Sequence, residues 1–97
     1  MSERVPPDLA QLRAEIDRVD SELVQVLARR QKLVERVVTI KERDNLPAFI
    51  PGRIDEVLKN VSRQAEDAGL SPDLARTLWK AMIHWFVELE EKQLKKS

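Results

Sequence analysis

LAQLRAEIDRVDSELVQVLARRQKLVERVVTIK, residues 9–41, is the stretch whose periodicity sets the architecture of this chain. Its apolar residues recur at alternating intervals of three and four: Leu9, Leu12, Ile16, Val19, Leu23, Val26, then Leu33, Val37 and Ile40. Arg30 takes the remaining position of the stripe. No Gly or Pro occurs from Leu9 to Asn45, so the run predicts one long helix with a coiled-coil-like seam. At ~1.5 Å per residue that helix spans roughly 50 Å, whereas a compact chain of this length has a radius of gyration of about 13 Å. The helix outreaches any compact monomer, and its seam needs a second copy. The expectation is an all-α homodimer of three-helix chains, with the long helices intertwined and antiparallel.

Composition agrees with a helical reading and narrows the partners. Charged residues make up 35% of the 97 residues, aromatics 4%, and there are only two glycines to turn a sheet. Lysine plus arginine equals aspartate plus glutamate at 17 each, which argues against nucleic acid or an anionic membrane as partner. With no cysteine, disulfides and thiolate metal sites are excluded, and no metal is expected. No apolar run approaches the ~20 residues of a membrane span, and the first residues lack the apolar core of a secretory signal. The chain reads as one cytoplasmic domain over residues 1–97, with residues 1–7 a flexible tail.

Turn residues mark off the three helices. Pro6 and Pro7 delay the first helix, with Asp8 as its cap and Gln11 completing a capping box. The segment from Asp44 to Gly52 carries two prolines and a glycine and reads as a connector, with Leu46, Phe49 and Ile50 expected to pack down as a cover. A second helix is predicted from about Arg53 to Ala68, ended by Gly69 in a left-handed cap. Ser71 caps a third, with Pro72 in its first turn and Asp73 at the positive end of its dipole. Two stripes run along this helix, Leu74, Leu78, Met82, Trp85, Leu89 and Trp79, Ile83, Phe86, Glu90. They predict burial on more than one side, with Trp79, Trp85 and Phe86 as core. Lys92, Lys95 and Lys96 suit the negative end of the dipole.

Function turns on charges in apolar places. Arg30 lies on the seam, Arg13 and Lys41 flank it four heptads apart, and Glu90 closes an apolar stripe. Burying an unpaired charge costs several kcal/mol, so core cations imply an anionic partner. Asp20 and Glu90 are too few to neutralise Arg13, Arg30, Lys41 and Arg53, which leaves room for an anionic ligand. Along one helix Arg13 and Lys41 stand about 42 Å apart. If both serve one small molecule, they come from different chains, and a two-fold axis then creates two equivalent sites. The structural alternative is that Arg30 snorkels or pairs across the dimer to fix register. His84, with Lys80 and Glu88 four residues to either side, reads as a surface residue in helical pairs.

Leu12-Arg13-Ala14-Glu15-Ile16-Asp17, Leu27-Ala28-Arg29-Arg30, Lys41, a proline-containing connector and then Arg53 resemble the all-helical class of chorismate mutases over nearly the whole chain. Ile50-Pro51 with Arg53 and Ile83-His84-Trp85-Phe86 also resemble the isochorismate-pyruvate lyases of the same fold. The resemblance implies an intertwined dimer with two identical sites, each completed by Arg13 of the other subunit, and chorismate as the dicarboxylate. Arg13 and Arg30 would then hold carboxylates and Arg53 would add positive field. Lys41 would donate to a carboxylate and to the ether oxygen, with Glu90 facing that oxygen from the other side. A unimolecular Claisen rearrangement to prephenate calls for no cofactor. Many relatives have Gln at the position of Glu90, and a carboxyl group donates to the ether oxygen only when protonated, so activity is expected to fall as pH rises. Ile50 and Ile54 stand where mutases carry acidic residues toward the substrate hydroxyl, and Phe86 replaces a small polar residue. The alternatives are an isochorismate-pyruvate lyase forming salicylate, and a non-catalytic helical dimer binding a dicarboxylate or a partner protein.

Overall fold

In a computed structural model of the chain, which describes residues 5–95, the elements are α1 (Pro7–Asp44), α2 (Pro51–Ala68) and α3 (Pro72–Lys95), with no strand among the described residues. The seam residues do form a single helix, as their periodicity requires. Among the described residues, no helix is long and apolar enough to cross a membrane.

Prolines set the helix starts more closely than the sequence pattern suggested. α1 begins at Pro7 and not after Asp8, because a first-turn proline gives up an N–H that has no partner there in any case. Pro7 is therefore helix and not tail, and the Pro6 carbonyl accepts the first helical bond from the Ala10 N–H at 3.0 Å. Asp8 sits inside the first turn, where its carboxylate accepts from the Leu9 N–H at 3.0 Å and favours the dipole. In the same way α2 starts at Pro51, two residues before Arg53. Pro51 disfavours helical backbone at Ile50, which is extended at φ −126° and makes no side-chain cap.

Helix ends follow the turn chemistry. Gly69 is left-handed at φ 78°, its N–H donates to Glu66 O at 3.3 Å, and the Leu70 N–H reaches back to Ala65 O at 2.8 Å. The Ser71 hydroxyl accepts from the Leu74 N–H at 3.3 Å as the cap of α3. α3 runs to Lys95, and Lys96 lies outside the described residues.

The chain divides into two compact units, Met1–Glu35 and Arg36–Ser97. In the first, α1 carries its stripe in the open: Leu12, Ile16, Leu23 and Val26 are exposed, and Val19 is 60% exposed. In the second, α2 packs against α3. Val38, Ala65, Ala75 and Glu90 are buried, and around them Val57, Leu58, Val61, Trp79, Met82, Ile83 and Phe86 are half-buried. No large side chain among the described residues is fully buried.

Two expectations of burial do not hold within this unit. Of the stripes on α3 only the one through Trp79, Ile83, Phe86 and Glu90 turns inward, while Leu74, Leu78 and Leu89 are exposed and Trp85 is 57% exposed. One neighbouring helix covers one stripe, and the second stripe has no facing element among the described residues of the unit. The connector is not an apolar cover either: Leu46, Phe49 and Ile50 are exposed, and Ala48 is the residue tucked in.

Candidate active site

The end of α1 brings the first functional group inward. Lys41 stands one turn beyond buried Val38, and its side chain is only 13% exposed. Its ammonium donates to Glu90 Oε2 at 2.9 Å and to the Ala48 carbonyl at 3.0 Å. Glu90 arrives on the inward stripe of α3 and is 5% exposed. Removing two charges from water costs several kcal/mol each, and the pair is tolerable because it is in direct contact and the ammonium gains a second acceptor. An ammonium has three N–H groups; these bonds use two and leave one to offer. A hollow of about 200 Å³ lined by Lys41, Glu42, Asn45, Leu46 and Leu94 opens beside it.

The other cations are placed differently. Arg53 lies in the first turn of α2, where a cation opposes the helix dipole, and it is exposed and paired with Glu56 on the same helix. No described hydrogen bond links it to Lys41 or Glu90. In the unit formed by residues up to Glu35, Arg13 and Asp20 are exposed and Arg30 is half-buried. At the exposed end of α1 the Asp44 carboxylate accepts from Arg43, raising its already high pKa. His84 is an exposed partner of Glu88, Nε2 to Oε1 at 3.2 Å, as its spacing suggested. It borders a groove of about 400 Å³ with Phe49, Ile54, Lys80, Ile83, Val87, Glu88 and Glu91, and neither Lys41 nor Glu90 lines that groove.

The sequence pointed to Lys41 and Glu90 separately but not to their direct bond, and it gave no sign of the Ala48 carbonyl. A backbone acceptor is common to every residue, and only the path of the connector selects this one. Pro47, which fixes the backbone just before it, is the nearest signal.

Three helices, with a nearly buried ammonium and carboxylate facing each other beside a hollow, make this an all-α protein with a compact polar site set into apolar packing. The chain belongs to the chorismate mutase type II family, whose model matches residues 12–91. It is 34% identical over 88 residues to the bifunctional chorismate mutase/prephenate dehydratase of Aquifex aeolicus, covering 88% of this chain and 24% of that protein. It is 35% identical over 80 residues to the isochorismate pyruvate lyase of Pseudomonas aeruginosa, 81% of this chain and 77% of the lyase. The 4-amino-4-deoxychorismate mutase of Streptomyces venezuelae is 32% identical over 84 residues, 87% of this chain and 82% of that enzyme. The chain thus spans about a quarter of the bifunctional relative and about four fifths of the other two.

Proposed function

We propose that the chain is a chorismate mutase, working as an intertwined homodimer in the cytoplasm with residues 1–97 as its catalytic domain. The observation that carries this reading is the Lys41–Glu90 pair, a positive and a polar group held together in a chain of this family. In the Claisen rearrangement one C–O bond breaks as one C–C bond forms, with no atom gained or lost. The protein has to hold the compact conformer and stabilise negative charge growing on the ether oxygen. Arg30 and the partner subunit's Arg13 bind the two carboxylates of chorismate, and Arg53 adds positive field. The remaining N–H of Lys41 is shared between a carboxylate and the ether oxygen. Glu90 accepts from Lys41 on Oε2, and its other oxygen, Oε1, donates to the ether oxygen only in the protonated form. No cofactor enters the reaction.

The exposed seam of α1 supports the dimer, because a row of apolar residues this long in water is stable only when covered. Isochorismate-pyruvate lysis is the second reading, favoured by similarity along four fifths of a lyase of that activity. Purified protein assayed with chorismate and with isochorismate between about pH 5 and pH 8 separates the two. Prephenate from chorismate, formed faster at the acid end, is the expected result, and Glu90→Gln should flatten the profile. Salicylate from isochorismate at a much higher kcat/KM would make the chain a lyase. Tight binding of a dicarboxylate without turnover in either assay would leave a non-catalytic dimer.

A further inference from the structure

We propose that the connector between α1 and α2, residues 45–50, is the positioning device for the Lys41 ammonium, and that the Ala48 carbonyl is its working group. The proposal rests on the reading that Lys41 touches the substrate. A lysine side chain is a flexible four-carbon stem ending in a point charge, and one ion pair leaves the ammonium free to swing about the carboxylate. Here a second acceptor fixes it from another element. The two acceptors come from the connector and from α3, at 3.0 and 2.9 Å.

Their chemistry divides the work. Glu90 in its ionised form cancels the charge of Lys41, whereas a carbonyl dipole orients the ammonium and leaves its charge intact. A site that must meet an anion gains from the second kind of contact, since geometry is fixed without loss of positive field.

The connector is built to hold that carbonyl still. Asn45 turns the chain out of α1 in the left-handed region at φ 57°, a conformation asparagine tolerates far better than branched residues. The Leu46 N–H then donates to the Lys41 carbonyl at 2.8 Å. Lys41 is consequently tied to the connector at both ends, by its own carbonyl to Leu46 and by its ammonium to Ala48. Pro47 restricts the middle of the segment. At the far end, Ile50 is extended ahead of Pro51, and its carbonyl accepts from the Arg53 and Ile54 N–H groups at 3.1 and 3.3 Å.

Two alterations test this in the full chain. The first replaces the peptide bond linking Ala48 to Phe49 by an ester, which weakens the Ala48 carbonyl as an acceptor and leaves every side chain in place. The second pair is Asn45→Val, which the left-handed turn resists, and Asn45→Gly, which it accepts. Each is assayed for kcat and KM with chorismate, and the Lys41 Nζ resonance is followed in protein with 15N-labelled lysine. The ester and Asn45→Val are expected to lower kcat about tenfold, with a smaller change in KM, as for a weakened hydrogen bond to a charged group. Both should shift the Lys41 signal and speed its exchange with water, while Asn45→Gly behaves as wild type. Wild-type kcat with an unmoved Lys41 resonance in the ester protein would overturn the proposal. If the unaltered chain fails to turn over chorismate, the mutase reading falls and the resonance alone decides: a shift in the ester protein supports positioning, and none defeats it.

Discussion

The part of α1 up to Glu35 and the unit from Arg36 onward deal with apolar surface in different ways. The first displays it: its stripe is regular, uninterrupted apart from Arg30, and exposed. The second folds on itself, half-burying a helix–helix face and sealing a carboxylate inside it. The difference teaches that regular patterning and self-sufficiency are separate properties. A seam can be the clearest signal in a sequence and still depend on another chain to be covered, while an untidy pattern such as that of α3 supplies the internal contacts.

If the first region depends on a partner, a charge on its seam should have the largest effect. Ile16→Glu places a carboxylate in the covered stripe of both subunits and is expected to cost about 4 kcal/mol or more per dimer, from lost apolar burial and a desolvated charge counted twice. Sedimentation equilibrium should show monomer where wild type is dimeric; unchanged association would show that the stripe is not an interface.

Next comes the ion pair of the second region. Lys41→Met strands a nearly buried carboxylate and is expected to lower stability by about 3 kcal/mol, with activity reduced by about 1,000-fold or more. Adding Glu90→Leu should restore most of the stability, read by urea unfolding, and none of the activity. Recovery of both would make the pair structural alone. A smaller effect belongs to Gly69→Ala. No atom lies within 4 Å of the added methyl, so the expected loss of about 1 to 2 kcal/mol comes from the left-handed backbone alone, and Gly69→Asn should lose less. Smallest is Ser62→Ala. The Ser62 hydroxyl oxygen is buried with no hydrogen-bond partner among the described residues, so its removal should leave the unfolding midpoint unchanged or raise stability by up to about 1 kcal/mol.

Legibility in the sequence followed the range of the interaction. Pro51, Gly69 and Ser71 act within one turn of chain, so the ends of α2 and the start of α3 could be read to within two residues. The residual errors at Pro7 and Pro51 came from treating proline as a barrier before a helix when its missing N–H makes it the first residue of one. The burial of Glu90 was legible because it continues an apolar stripe. Covering of Trp85, Leu78 and Leu89 was not, because a stripe states that a face is apolar and is silent on which neighbour meets it. Among the candidate cations, Arg53 was legible as a positive group at the start of α2, and its pairing with Glu56 one turn further on was not.

Trp85 gives the molecule a built-in dye. The chain has two tryptophans and no tyrosine, so near-ultraviolet emission comes from two indoles on one helix, roughly 9 Å apart along its axis. Trp79 is half-buried, while Trp85 stands in water with its ring edge-on to Phe86 at 5.0 Å and 83°. Iodide quenches the exposed indole first, and the residual spectrum is that of Trp79. Because Trp85 shares its face with Leu74, Leu78 and Leu89, any surface that closes over that face moves its emission to the blue and shields it from iodide, reporting the event by colour without a label.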